Sequence, residues 1–368
     1  MTRISFETPA RTSKDRRIRG RGAAGNPPNR FERLHLERDV WDDPDDPGAR
    51  TQFLRDTSRS IIVRNDSPDV PFEFSINPYR GCEHGCIYCY ARPGHEYLGY
   101  SAGLDFETRI LVKERAPELL RDKLSSPRWK PQALVISGVT DPYQPIERRL
   151  QLTRRCLQVL AECRHPVSVI TKNRLVIRDI DLFARLAAWD AALVTLSITT
   201  LDEKLQRIME PRTSSPALRL RAVEELAEAG VPVGVNIAPV IPGLTDEEVP
   251  RILQAAADAG AGHAAYILVR LPHGVAELFV DWLERNLPGR KNKVLGRIRE
   301  ARGGKLYDPT WGERMRGTGD LAETIGNLFE VARRRAGLLR RAPPLSTAAF
   351  RRPDRHGQLD LFGEPANR

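Results

Sequence analysis

Between residues 72 and 269, short apolar runs alternate with longer stretches whose apolar residues recur every three or four positions. The short runs, at 72–76, 133–137, 167–171, 193–197, 232–237 and 265–269, have strand length and are rich in Val, Ile and Leu. The stretches between and after them predict helices near 113–124, 151–163, 178–188, 216–229, 246–259 and 274–287. In the helix over 216–229, Leu218, Ala222, Leu226 and Ala229 fall on one face and Gly230 is the stop. Strands alternating with helices imply βα units, a parallel sheet and right-handed crossovers. Six strands exceed a minimal flavodoxin-like sheet and fall short of a closed eight-fold barrel. The expected fold is therefore α/β: an open, partial (β/α)6 barrel with its active site at the C-terminal strand ends.

The two ends of the chain read differently. Residues 1–70 form a polar extension broken by Gly and Pro. It lacks the apolar content to fold alone and can at most drape over the core. Residues 71–290 hold the βα pattern, 291–341 read as Arg- and Lys-rich helices, and 342–368 as a Pro-rich disordered tail. No apolar run reaches the roughly 18 residues of a membrane span. No apolar leader opens the chain, and five cysteines without one point to a reducing cytoplasm, where clustered thiols mean metal or catalysis.

Charge adds a second theme. The net charge is +10, with Arg11, Lys14, Arg16, Arg17, Arg19 and Arg21 near one end and Arg333, Arg334, Arg335, Arg340, Arg341, Arg351, Arg352 and Arg355 near the other. Such runs attract phosphate, in nucleic acid or an anionic cofactor, or serve as solvated tails.

The chemistry concentrates just after the first strand. Cys82, Cys86 and Cys89 stand at C-x3-C-x2-C spacing within Asn77-Pro-Tyr-Arg-Gly-Cys-Glu-His-Gly-Cys-Ile-Tyr-Cys-Tyr90. A structural zinc site closes with four ligands, and no fourth is obvious: His84 is too near its neighbours, and Cys156 and Cys163 lie on a distant helix. A four-iron cluster held by three thiolates leaves one iron open. Gly81 and Gly85 give the backbone room to wrap such a group, and Arg80 and His84 can donate to sulfur.

This motif, at the end of strand one of a (β/α)6 pattern, resembles the radical S-adenosylmethionine superfamily. The resemblance implies a [4Fe–4S] cluster on the three cysteines. Its open iron would bind S-adenosylmethionine, whose reductive cleavage gives a 5′-deoxyadenosyl radical that takes hydrogen from substrate. An electron donor such as flavodoxin or ferredoxin is implied as a partner. The segments 137–147, 171–173 and 210–212 are similar to the spore-photoproduct-lyase-like branch, and the N-terminal Gly-Arg-Gly-Ala segment to its PA0069-type subgroup. Carried over by position, Tyr88 approaches the adenine, and Ser137, Thr140 and Asp141 close strand two near the methionyl amino group. A capped turn is the other reading of that segment. Lys172 and Asn173 end strand three, and Ser197 and Thr199 end strand four, toward ribose and carboxylate. Arg212 would pair the cofactor carboxylate, and Asn236, Ile237 and Pro239 would lie near the adenine.

Where the lyase keeps a hydrogen-donor cysteine, this chain has Val139, so the lyase's own reaction is not expected. Tyr143 is a candidate hydrogen relay in its place. Cys156 and Cys163 read as core residues. Finally, Gln358, Leu359, Leu361 and Phe362, in Gln-Leu-Asp-Leu-Phe, resemble the peptide by which repair and replication proteins dock on the DNA sliding clamp. The combined expectation is a radical enzyme acting on DNA. The alternatives are RNA or protein modification, and a DNA-tethered iron–sulfur protein without radical chemistry.

Overall fold

A computed structural model describes residues 18–32 and 50–353. Its main sheet has seven strands: β2 (Ile62–Arg64), β3 (Phe74–Ile76), β6 (Leu134–Ile136), β7 (Val167–Thr171), β8 (Ala192–Ser197), β9 (Val233–Val240) and β10 (His263–Leu268). The order across the sheet is β10-β9-β8-β7-β6-β3-β2. From β3 to β10 every pairing is parallel, and β2 adds an antiparallel edge. The six parallel strands are those the apolar runs predicted, and the fold is an open partial barrel. Their near-continuous apolar composition follows from burial on both faces. The helices Ala116–Ser125, Leu152–Glu162, Ile180–Ala187, Pro216–Glu228, Val249–Asp258 and Gly274–Asn286 supply the connections and the outer layer.

One predicted helix face is rotated. In Pro216–Glu228 the buried positions include Arg219, Ala222, Val223 and Leu226, whereas Leu218 is exposed. Arg219 is drawn inward by a buried carboxylate, Glu210, and takes the place that apolar periodicity assigned to Leu218. The helix begins where its residues dictate: Ser215 accepts from the Leu218 N–H, and Pro216 occupies the first turn.

A smaller sheet, not foreseen, props the cysteine loop. β1 (Gln52–Arg55) runs parallel to β5 (Arg109–Val112), which pairs antiparallel with β4 (Tyr79–Arg80). A second apolar core lies under the loop. There Cys86, Ile87 and Tyr88 meet Met209, Ile241, Phe279 and Trp282.

The expected disorder of the C-terminal tail is corrected over residues 342–353, and the N-terminal extension drapes over the core where it is described. Residues 18–32 are seated on the core by polar bonds rather than apolar burial. Buried Glu107 accepts from the Gly22 and Ala23 N–H groups at 3.0 and 2.9 Å and pairs with buried Arg92. Asn29 donates to the Glu96 and Tyr100 carbonyls, each at 3.0 Å. Gly22 passes so close to the cysteine loop that a Cβ there would stand 1.9 Å from the Gly85 carbonyl oxygen. At the other end, Ser346 donates to the Asp190 carbonyl, Arg351 to that of Cys163 and Arg352 to that of Leu124. These acceptors precede β8, β7 and β6, so the segment crosses the N-terminal end of the sheet, opposite the cysteine loop. The clamp-like peptide at 358–362 lies outside the described residues.

Candidate active site at the cysteine loop

β3 ends at Ile76, and the chain passes through β4 into the cysteine loop at the C-terminal end of the sheet. Gly81 and Gly85 take φ of 80° and 68°, which allows the loop to reverse twice in five residues. Cys82 and Cys86 are buried and Cys89 is half-buried, all three as free thiols. Burial and the Glu210 charge raise the Cys86 thiol well above its ordinary range. Burial and the Cys82 charge raise that of Cys89, against the pull of Arg92.

Three thiolates that repel one another in a buried loop form a donor set completed by a cationic group. Among the described residues no three His, Cys, Asp or Glu side chains gather tightly enough for a single metal ion. The soft, all-sulfur set fits an iron–sulfur cluster, whose irons sit apart on separate thiolates.

The segment 137–147 holds this loop from below. Thr140 Oγ1 donates to the Gly81 carbonyl at 2.6 Å, and the Glu83 N–H donates to Gln144 at 3.0 Å. Glu83 accepts in turn from the Ile146 N–H at 2.9 Å. Asp141 accepts from Thr171 Oγ1, the Lys172 N–H and the Tyr143 N–H, and lies 3.3 Å from His84 Nδ1. Thr140 is thus bonded to the loop, and Asp141 caps the turn at Tyr143 and ties it to Thr171, Lys172 and His84, as the capped-turn reading expects. Ser137 Oγ reaches only the Thr140 carbonyl, at 3.4 Å.

His84 joins the loop to β7. Burial lowers its pKa, but the charges of Asp141 and Cys82 raise it more, to about 10. Against a second proton stands Asn173, which turns its amide nitrogen to His84 Nε2 at 3.2 Å because its oxygen accepts from the Leu175 N–H and Ser214. With Nε2 facing the Asn173 amide nitrogen, the ring carries its proton on Nδ1 toward Asp141.

A buried charge cluster lies beside the loop. Glu210 pairs with Arg219, accepts from the Tyr88 hydroxyl and from Thr199 Oγ1, and lies 3.4 Å from Lys172 Nζ. Burial would raise its pKa, but Arg219, Lys172 and Tyr88 hold it well below the usual carboxylate range. Lys172 also donates to the Ala238 carbonyl at 2.7 Å, so its ammonium is already engaged. Arg212 pairs with Glu83 at 3.1 Å.

Sequence reasoning gave roles to Tyr88, Lys172 and Thr199 but not to Glu210, Arg219, Glu83 or Glu107. The signal for Glu83 and Glu210 was their place inside the quoted segments. Arg219 and Glu107 had none.

Nearer the strand ends the site is less satisfied. Ser197, buried at the end of β8, is in register with Asn236, whose buried Oδ1 has no hydrogen-bond partner among the described residues. An orphaned buried acceptor level with the strand ends is a ready contact for a bound cofactor. Val139, just beyond the end of β6, is 51% exposed. Tyr143 is fully buried and donates to Asp179 at 2.9 Å, so it cannot meet substrate as a relay. Cys156 and Cys163 are core residues.

Comparison with known proteins agrees with this geometry. The Radical SAM superfamily profile matches residues 76–256. An uncharacterised protein of Mycobacterium tuberculosis is 35% identical over 284 residues, 76% of this chain and 80% of that protein. A protein of Pseudomonas phage M6, a radical SAM Nalpha-GlyT isomerase, is 25% identical over 220 residues, 59% of this chain and 44% of that protein. Among solved structures, a mutant spore photoproduct lyase superimposes with a TM-score of 0.56 at 17% identity, covering 78% of this chain and 80% of that one. A partial barrel, a three-cysteine loop at the C-terminal strand ends and this agreement across most of the sequence place the chain in the radical S-adenosylmethionine superfamily, as an enzyme using a [4Fe–4S] cluster and S-adenosylmethionine.

Proposed function

We propose that this enzyme abstracts hydrogen from DNA in a repair-type reaction, by way of a 5′-deoxyadenosyl radical. The observation that carries the radical part is the gathering of three thiols, Cys82, Cys86 and Cys89, at the C-terminal end of the sheet. When bound there, the cluster and S-adenosylmethionine supply one-electron cleavage of the sulfonium, with flavodoxin or ferredoxin as electron donor. The chain's own residues orient and shield. Arg92 and Glu107 fix the loop backbone, and Arg92 donates to the Cys86 carbonyl. The residues 18–32 and the second core keep water from its back. Ser197 and Asn236 offer polar contacts to the cofactor at the strand ends.

The net charge of +10 supports a nucleic-acid substrate. So does the likeness to a spore photoproduct lyase solved in complex with dinucleoside spore photoproduct. The test is anaerobic reconstitution with reductant and S-adenosylmethionine, with 5′-deoxyadenosine measured against damaged DNA, tRNA and peptide pools. Damaged DNA is expected to raise product formation and to transfer deuterium to 5′-deoxyadenosine. Stimulation by tRNA or peptide alone would move the substrate to that class, and a full cluster without any 5′-deoxyadenosine would overturn the radical reading.

Docking on the sliding clamp is proposed as the route to DNA. The described chain reaches Pro353 on the face opposite the cysteine loop. The double change Leu361→Ala/Phe362→Ala is expected to abolish clamp pull-down, and retained binding would overturn this docking. No described helix is long and apolar enough to cross a membrane.

A further inference from the structure

Beyond β10 the chain folds back across the open side of the sheet. Arg302, buried, donates to the Val269 carbonyl at 2.7 Å and to the Arg314 carbonyl at 3.0 Å, which fixes this returning segment to the end of β10. At its far side the Gly312 N–H donates to Asp69 at 2.6 Å, and Arg314 bonds both Asp69 and Ser67. Asp69 and Ser67 lie between β2 and β3, so the segment 312–314 straps the two ends of the sheet together.

The strap carries Trp311. Its ring is 51% exposed, and the Arg314 guanidinium lies 3.8 Å from its centroid. The guanidinium covers one part of the ring and leaves the rest to solvent, an arrangement that folding alone does not require. The strap is also beside the cysteine loop. Tyr90, which follows Cys89, is 47% exposed, donates to the Gly138 carbonyl at 2.7 Å and lies under the Arg270 guanidinium, 4.1 Å from its ring centroid. Arg302, which holds the strap at the Arg314 carbonyl, also bonds the Val269 carbonyl, and the next residue, Arg270, lies over Tyr90, so the strap and the cysteine loop meet at the end of β10.

We infer that Trp311, backed by Arg314, is a stacking shelf for an unstacked base of the DNA substrate. The open ring takes the flat face of the base, while Arg314, held by Asp69 and Ser67, backs the ring and Arg270 faces a neighbouring phosphate. A peptide offers no such repeated pairing of flat ring and phosphate. The inference rests on the nucleic-acid reading above, and its test separates the two.

The probes are a fluorescein-labelled single-stranded DNA oligonucleotide and an abasic oligonucleotide of equal length, bound to the reconstituted full-length protein. Trp311→Ala is expected to weaken binding of the base-bearing probe about tenfold and to leave the abasic probe unchanged, while Trp311→Phe keeps affinity within about twofold. A loosened strap would weaken both probes together and so would overturn the shelf. Equal binding of the base-bearing probe by Trp311→Ala and the parent protein would also overturn it, with the nucleic-acid reading intact. If the parent protein binds neither probe, nor tRNA, the nucleic-acid reading fails and the shelf with it.

Discussion

Replacing Cys82, Cys86 or Cys89 singly by Ala is expected to remove the cluster and reduce 5′-deoxyadenosine formation to the level of a blank without protein. The argument begins with the loop. Its backbone is fixed by bonds that do not involve sulfur: the Cys82 N–H donates to the Phe106 carbonyl at 2.9 Å, and the Cys89 N–H to that of Cys86 at 3.2 Å. Loss of one thiol therefore leaves the loop in place and takes away only the ligand. Two thiolates cannot hold a cluster that already lacks a fourth protein ligand. Serine should not rescue, because its hard oxygen is a poor ligand for an iron–sulfur group. The matched controls are Cys156→Ala and Cys163→Ala. Both thiols are packed in the main core, and burial pushes that of Cys163 up to about 12. These variants are expected to bind iron and sulfide in full and to lose about 1 kcal/mol of stability, as for a buried methylene. Iron and sulfide analysis with electron paramagnetic resonance after reduction reads both arms. Full cluster signal in any of the three loop variants would sink the assignment of ligands.

The parallel strands and their helices were legible in the chain because apolar period reports burial directly. Six runs became six parallel strands for that reason. The cysteine loop was legible because ligand spacing is local. What was not legible depended on partners distant in sequence. Arg219 turns inward only because Glu210 waits beneath it, and no periodicity encodes that exchange of Leu218 for Arg219. The docking of residues 18–32 relies on Glu107, 85 residues from Gly22, and on the absence of a side chain at Gly22. Polar, Gly-rich composition reads as disorder when its hydrogen-bond acceptors lie elsewhere. The strap is similar: Asp69 and Arg314 are 245 residues apart. Within the site, the resemblance placed Ser137, Thr140 and Asp141 of 137–147 near the cofactor. The structure shows that segment holding the cysteine loop in place, with Thr140, Asp141 and Gln144 bonded to Gly81, His84 and Glu83.

Glu210→Ala is expected to be the most destabilising single change outside the apolar core. Glu210 and Arg219 are fully buried, and Lys172 is nearly so. Removing the carboxylate leaves two cations facing one another in a dry pocket and takes the acceptor of the Tyr88 hydroxyl, while Thr199 Oγ1 keeps the Ala238 carbonyl. Breaking a buried pair in this way costs about 3–5 kcal/mol. For a chain of this size that corresponds to a fall of roughly 4–6 °C in the unfolding midpoint. The damage should reach the cluster, because Tyr88 lies between Cys86 and Cys89 and its hydroxyl is anchored at Glu210 and Thr199. The Arg219→Met change made alone should cost a similar amount, since it strips Glu210 of its main counter-charge. Glu210→Ala/Arg219→Met together should cost less than the sum of the two singles, because the Glu210–Arg219 pair is then removed whole and only Lys172, still bonded to the Ala238 carbonyl, loses its opposite charge. Thermal unfolding of the parent, the two single variants and the double variant, with cluster content measured beside each, closes the cycle. Strict additivity would mean that Glu210 and Arg219 act independently, and the rotated face of the Pro216–Glu228 helix would then need a cause other than this ion pair.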